Sequence, residues 1–203
     1  RGKNQIIFDY IDKTLLDLEI YNGHINVSEH PIYPLYIYNY TKQCNFDKAW
    51  NDATEKCRGL IVDSNYNIIA RPFKKFYNYE EIDDENIIPK TSFEVYDKLD
   101  GSLGIMYWYD NMPYIATRGS FSSEQALHAT EVLYKKYKDI IDKLDRNITY
   151  LFEIIYPEDL HVVSYDGLDD IILLAAINRE TGEEYNIEDI PYFSHTKRYD
   201  GVK

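Results

Sequence analysis

The chain of 203 residues has only two cysteines, Cys44 and Cys57. That scarcity excludes a disulfide scaffold, and their separation matches no zinc-ligand spacing; two ordinary thiols in a reducing compartment, the cytoplasm, are expected. No apolar run approaches the roughly 18–20 residues needed to cross a bilayer as a helix, so no membrane association is expected. The first residues carry no signal-peptide pattern, and Arg1 in place of an initiator methionine reads as a processed or trimmed start. Positive charge is also in short supply: 22 Lys and Arg face 35 Asp and Glu, for a net charge of −13. A protein that coats nucleic acid through bulk charge is thereby excluded, whereas a local basic groove is not.

What is abundant is tyrosine, with 21 residues. A bias toward Tyr, Asn, Ile and Lys is what an AT-rich genome produces, and it carries little functional weight. Hydrophobic residues make up 44% of the chain, enough for one domain with a real core.

The periodicity predicts a helix over "NQIIFDYIDKTLLDL", with Ile6, Ile7, Tyr10, Ile11, Leu15 and Leu18 on one face. Pro31 and Pro34 make "HPIYPLYIYNY" extended, and "FDKAWNDATEK" reads as a short surface helix. Strands then dominate. "RGLIVD" and "NIIARPF" form a hairpin around "SNYN"; "SFEVYDK" and "SLGIMYWYD" flank a Leu-Asp-Gly turn, and "DNMP" turns the chain into "YIATRGS". The helix "SSEQALHATEVLYKKYKDIIDKL" has Ser122 and Gln125 spaced as a capping box, with Ala126, Leu133, Tyr137, Ile140, Ile141 and Leu144 on its apolar face. "TYLFEIIY", "HVVSY" and "DIILLAAINR" are further strands, the last entering the turn "ETGEE". Many hairpins and few helices read as α+β with mainly antiparallel sheets and flanking helices.

The stretch "YDKLDGSLG", Tyr96 to Gly104, contains Lys-x-Asp-Gly. Alone, an ordinary turn with a positive-φ glycine and a solvated lysine accounts for it. Its surroundings add Arg58 in "CRGLIVD", Arg71, Lys74 and Lys75 in "ARPFKKFYN", Arg118 in "TRGSFSSEQA" and Glu153 in "LFEIIYP". These residues lie on or beside predicted strand ends, spread over almost a hundred positions. Folded together, they place cations beside Lys98, a suitable pocket for a polyphosphate in an otherwise acidic protein.

"KLDGSLG" resembles motif I of the covalent nucleotidyltransferases, the superfamily of RNA ligases, DNA ligases and mRNA capping enzymes. The blocks "CRGLIVD", "RPFKKFYN", "TRGSFSSEQA", "FEIIYPEDLHVVSY" and "ILLAAINRETGE" resemble, in order, the phage-type RNA ligase 1 family, from about residue 36 to residue 182. DNA ligases and GTP-using capping enzymes lack the second and third of these blocks and rank lower. The resemblance implies the nucleotidyltransferase, or ATP-dependent ligase, fold. It also implies an RNA ligase that uses ATP and Mg²⁺ or Mn²⁺ to join RNA 5′-phosphate and 3′-hydroxyl ends, as in nicked tRNA, and it suits a viral source.

By the same resemblance Lys98 is the nucleophile that carries AMP covalently. Arg58, Lys75 and Arg118 contact nucleotide phosphates, and Glu153 holds the ribose. Tyr40 is a pocket tyrosine, and Tyr77 or Phe76 stacks near the nucleotide. Asp100 and Gly101 shape the turn at Lys98, and Asp100 and Glu153 reach a metal through water. Strand alternation turns Lys74 away from the face of Lys75. Two superfamily elements are missing: the acidic-glycine motif IV and the Lys-x-Lys motif V. "RYDGVK", with Asp200, Gly201, Val202 and Lys203, echoes the former but comes too early. His161 stands where the family often has arginine. Residues 1–203 are therefore expected to be a nucleotidyltransferase domain incomplete at its carboxy end and weakly active or inactive alone. A ligase-fold module that holds nucleotide or RNA without sealing it is the reading from a different class.

Overall fold

The computed structural model describes residues 5–75, 95–96, 102–155, 169–195 and 198–199. Two sheets stack face to face, with helices covering both outer sides. The first sheet has four antiparallel strands in the order β1–β2–β3–β4: Ile25–Glu29, Leu35–Tyr40, Arg58–Asp63 and Ile68–Ala70. The second runs β10–β9–β8–β6–β7: Glu184–Tyr185, Asp170–Asn178, Ile148–Ile155, Ser102–Tyr109 and Met112–Ala116. Ser194–His195 (β11) adds to β9 in parallel, and a small ribbon pairs Val95–Tyr96 (β5) with Arg198–Tyr199 (β12).

Strand alternation builds the layers. Ile37, Ile61, Ile105, Tyr107, Leu151 and Ala175 face inward and pack between the sheets. Tyr38, Leu60 and Val62 face outward against Ile7, Ile11, Leu16 and Ala53 of the amino-terminal helices. On the far side, Met106, Phe152, Ile154 and Leu173 meet Ala129, Val132 and Leu133 of α5, Glu124–Lys136.

Four local expectations need correction. The first predicted helix is two: α1 (Ile7–Tyr10) and α2 (Lys13–Tyr21), separated by extended Ile11 and by Asp12, whose carboxylate caps α2 by accepting from Leu15 N at 3.0 Å. The break resets the helical phase, so Leu16 is buried and Leu18 is 50% exposed. The predicted surface helix is likewise split into α3 (Lys42–Asp47) and α4 (Asp52–Lys56), because left-handed Lys48 ends the first and Asn51 caps the second. The cap of α5 is Ser123, not Ser122, and α5 stops at Lys136 before a 3₁₀ turn over Lys138–Lys143. Met112 and Pro113, expected in a turn, begin β7 instead. Asp110 and Asn111, both at positive φ, make the two-residue hairpin turn by themselves. The expected strand "HVVSY" lies outside the described residues.

Candidate functional site

Where the inner faces of the two sheets part, a cleft of about 610 Å³ opens. Alternation on β8 sends Leu151 into the core and, two residues on, Glu153 into the cleft wall. Leu103, cross-strand from Glu153, holds the same position relative to Ile105 on β6. On β9 the register skips Leu174 between the pairs Leu151–Ala175 and Phe152–Leu173, and that extra residue also lines the cleft.

Arg58 arrives by a different device. On β3, strict alternation puts residue 58 on the outward face with Leu60 and Val62. The register, however, pairs Leu60 with Tyr38 and Arg58 with Asn39, leaving Gly59 as the extra residue of a β-bulge at φ +90°. The bulge turns Arg58 to the side of Asn39, and both line the cleft. A Cβ on Gly59 would stand 2.4 Å from Ile105 Cδ1 and 3.2 Å from Arg118 Cα, so this glycine also lets the two sheets approach.

Arg118 and Gly119 belong to a tight turn, closed by Thr117 N donating to Ser120 O at 3.0 Å. Thr117 Oγ1 lies 2.9 Å from Ser123 Oγ, and Ser123 caps α5 through Ala126 N. The helix start thus anchors the loop that presents Arg118.

Arg118 Nη1 donates to the Tyr40 hydroxyl at 2.7 Å. Burial raises the pKa of that phenol, but the charges and hydrogen bonds of Arg118 and Arg58 prevail and hold it below the ordinary tyrosine value. Arg58 is itself pushed down, first by burial and then by repulsion from Arg118. Tyr40 also meets Trp50 edge-on, ring centroids 4.9 Å apart, and Lys75 Nζ sits 4.5 Å over the Trp50 ring. Lys75 is fixed by its backbone N–H, which donates to Glu55 O at 2.7 Å. Lys75 is half-buried while Lys74 is exposed.

Of the residues singled out in the sequence, Arg58, Arg118 and Glu153 share the cleft wall, and Tyr40 and Lys75 join them through Arg118 and Trp50. Lys98, Asp100, Gly101 and Tyr77 lie outside the described residues, as do His161 and Asp200–Lys203. Asn39, Trp50 and Gly59 were missed. The repeated Arg-Gly pair in "CRGL" and "TRGS" was the available signal for Gly59; Asn39 and Trp50 had none. Among the described residues no three His, Cys, Asp or Glu side chains cluster as a metal site, and no helix is long and apolar enough to cross a membrane.

Known proteins resemble this chain in sequence and in fold. The chain is 29% identical over 170 residues to a putative bifunctional polynucleotide kinase/RNA ligase of Autographa californica nuclear polyhedrosis virus; the match covers 71% of the chain and 24% of that protein. It is 26% identical over 190 residues to an RNA ligase of Rhodothermus phage RM378, covering 73% of the chain and 42% of the relative. The chain thus spans well under half the length of both relatives. In three dimensions it resembles a putative ATP-dependent DNA ligase from Aquifex aeolicus, with a TM-score of 0.59 at 13% identity over 91% of the chain and 50% of that structure, a likeness of fold. The sequence profile of the RNA ligase family matches residues 56–198. With that match spanning most of its length, and with the ordered blocks around Lys98, the chain belongs to the phage-type RNA ligase 1 family.

Proposed function

We propose that residues 1–203 form a nucleotidyltransferase domain of an ATP-dependent RNA ligase. The observation that supports this best is the convergence of Arg58, Arg118 and Glu153 on one cleft in a chain of net charge −13. Two half-buried arginines that repel each other are relieved by an anion between them, which favours a phosphate chain. Glu153 offers a carboxylate to ribose hydroxyls, and about 610 Å³ is in the range that takes a nucleotide.

In this reading Lys98 Nζ attacks the α-phosphorus of ATP. The N–P bond forms as the bond to pyrophosphate breaks, and the amine proton is released to solvent. The cations nearby favour the neutral amine that this attack requires. AMP then passes to an RNA 5′-phosphate, and a 3′-hydroxyl displaces it to close the strand. Arg58, Arg118 and Lys75 hold phosphates, Tyr40 orients Arg118, Tyr77 stacks near the nucleotide, and Gly101 shapes the turn at Lys98. The described residues offer Glu153 alone in the cleft as an acidic ligand. That suits a Mg²⁺ or Mn²⁺ ion held mainly by phosphates and water, with Asp100 as a second outer partner, rather than a caged metal. Such an ion supplies charge to the leaving pyrophosphate. RNA with 5′-phosphate and 3′-hydroxyl ends, nicked tRNA among them, is the substrate class, and two buried thiols fit work in the cytoplasm.

The protein is incubated with α-labelled ATP and Mg²⁺ or Mn²⁺, then denatured. A covalent label, even a weak one, that Lys98→Ala abolishes and Arg58→Ala reduces at least about tenfold is expected. ATP binding without label, unchanged in Lys98→Ala, would instead make this a holding module; label persisting in Lys98→Ala would remove the proposed nucleophile.

A further inference from the structure

Asn39 sits on β2 directly opposite Arg58 and lines the cleft. Asparagine is a poor strand residue, and a half-buried one normally spends its amide on neighbours. This one does not. Asn39 Oδ1 is shut off from solvent and has no hydrogen-bond partner among the described residues. That leaves the Nδ2 end of the amide toward the turn at Gly119, a second wall residue of the cleft. At Gly119, a Cβ would meet one atom within 4 Å among the described residues beyond its chain neighbours, and that atom is Asn39 Nδ2 at 3.6 Å. The missing side chain therefore keeps an N–H donor uncovered between the strand position of Arg58 and the turn of Arg118.

We infer that Asn39 is a further phosphate-contacting residue of this cleft, donating from Nδ2 to the same anionic group that Arg58 and Arg118 hold, with Gly119 keeping the donor accessible. The inference rests on the nucleotide reading and adds to it a neutral donor that fixes the orientation of a phosphate, which charge alone does not. It also accounts for the buried oxygen. The amide is set for a ligand on one end and forgoes a partner on the other.

Binding of ATP, AMP and adenosine to the full chain is measured by calorimetry for wild type, Asn39→Ala, Asn39→Asp and Gly119→Ala. Asn39→Ala is expected to weaken ATP about tenfold and adenosine less than about twofold. Asn39→Asp, of the same shape, sets a carboxylate against phosphate and should weaken ATP about a hundredfold. Gly119→Ala adds a methyl in ordinary van der Waals contact with Nδ2, so it should weaken ATP while leaving the melting temperature in place. Thermal unfolding separates a binding role from a structural one. Asn39→Ala should hold or raise stability, because it removes a buried acceptor that lacks a partner. Wild-type ATP binding that Asn39→Ala leaves unchanged, or equal loss for adenosine and ATP, overturns the inference while the nucleotide reading stands. Tolerance of Asn39→Asp overturns it as well, since the cleft-facing end would then be an acceptor. Absence of ATP binding by wild type overturns both.

Discussion

Gly59 carries two constraints that separate substitutions can weigh. Its φ of +90° is strained for any residue with a side chain, and a Cβ there would press within 2.4 Å of Ile105. Gly23 has a similar φ of +78°, but a Cβ there would meet nothing within 4 Å among the described residues beyond its chain neighbours, so it isolates the backbone part. Gly23→Ala should cost about 1–2 kcal/mol, and Gly59→Ala roughly 2–5 kcal/mol, in urea unfolding. Only the second should also weaken ATP binding, because only the second disturbs the approach of β3 to Arg118. Equal costs would mean that the sheets yield at this contact without effort.

At the scale of elements, the helices on the outer side of the first sheet are tied by one polar cluster. Buried Glu19 of α2 accepts from Asn22 Nδ2 at 3.1 Å and from Asn51 Nδ2 at 3.0 Å, and lies 3.2 Å from His24 Nδ1. His24 Nε2 reaches Asp47 of α3 at 2.8 Å, and the Asn51 oxygen caps α4 through Ala53 and Thr54 N–H groups. With a carboxylate at each ring nitrogen, the doubly protonated imidazole fits best. The hydrogen bond to Asp47 raises the His24 pKa above its ordinary value, against burial and with help from Glu19. A raised folded pKa gives stability that is complete below about pH 6.5 and is lost as pH climbs through the folded value. The melting temperature should therefore fall as pH rises from about 6.5 through the raised folded value, and His24→Gln should flatten that slope. An unchanged slope in the variant would assign the titration elsewhere. At the acid end Asp47 acts in the opposite sense. Gln43 first and His24 next lower its pKa, so its contribution appears above about pH 4 and is lost on acidification.

The element scale is also where the sequence proved readable or not. Continuous apolar runs such as "RGLIVD" and "ILLAAIN" read as strands because both faces of those strands are buried, one on the other sheet and one on helices. Lys75 is half-buried and Lys74 exposed, as alternation suggested, although both lie past the end of β4. Arg58 was found through its motif, but its direction was not legible: alternation points it outward, and only pairing with β2 reveals the bulge. Asn39 and Trp50 were invisible for a related reason. Their surroundings come from residues far along the chain, Gly119 and Lys75, which no local pattern names. The helix breaks at Ile11 and Lys48 were missed because apolar spacing continued across them while the caps, Asp12 and Asn51, sat inside the apparent period.

Considered whole, the molecule is an acidic body with cationic groups gathered at one opening. With net charge −13, a polyanion is repelled except where local charge reverses, and in the proposed function Arg58, Arg118 and Lys75 supply that reversal at the cleft. The body around it is close-packed enough to silence both thiols. Cys44 and Cys57 are fully buried, burial pushes the Cys44 thiol up to about 11, and burial raises Cys57 further. Native protein should leave both unreacted with an aromatic disulfide reagent at neutral pH, and denatured protein should release two equivalents. Rapid native reaction at either thiol would mean that the packing of the first sheet against its helices opens readily.

The bulge at Gly59 makes the arrangement depend on the backbone of one residue more than on the side chains around it. Many apolar substitutions along β3 keep alternation intact and leave Arg58 where it is. Straightening the bulge at unchanged length would put Arg58 back in phase with Leu60 and rotate the guanidinium to the helix-covered side, with every neighbouring side chain unchanged. Variation along this strand is thus free to change many of its letters and is barred from changing the one whose left-handed backbone forms the bulge.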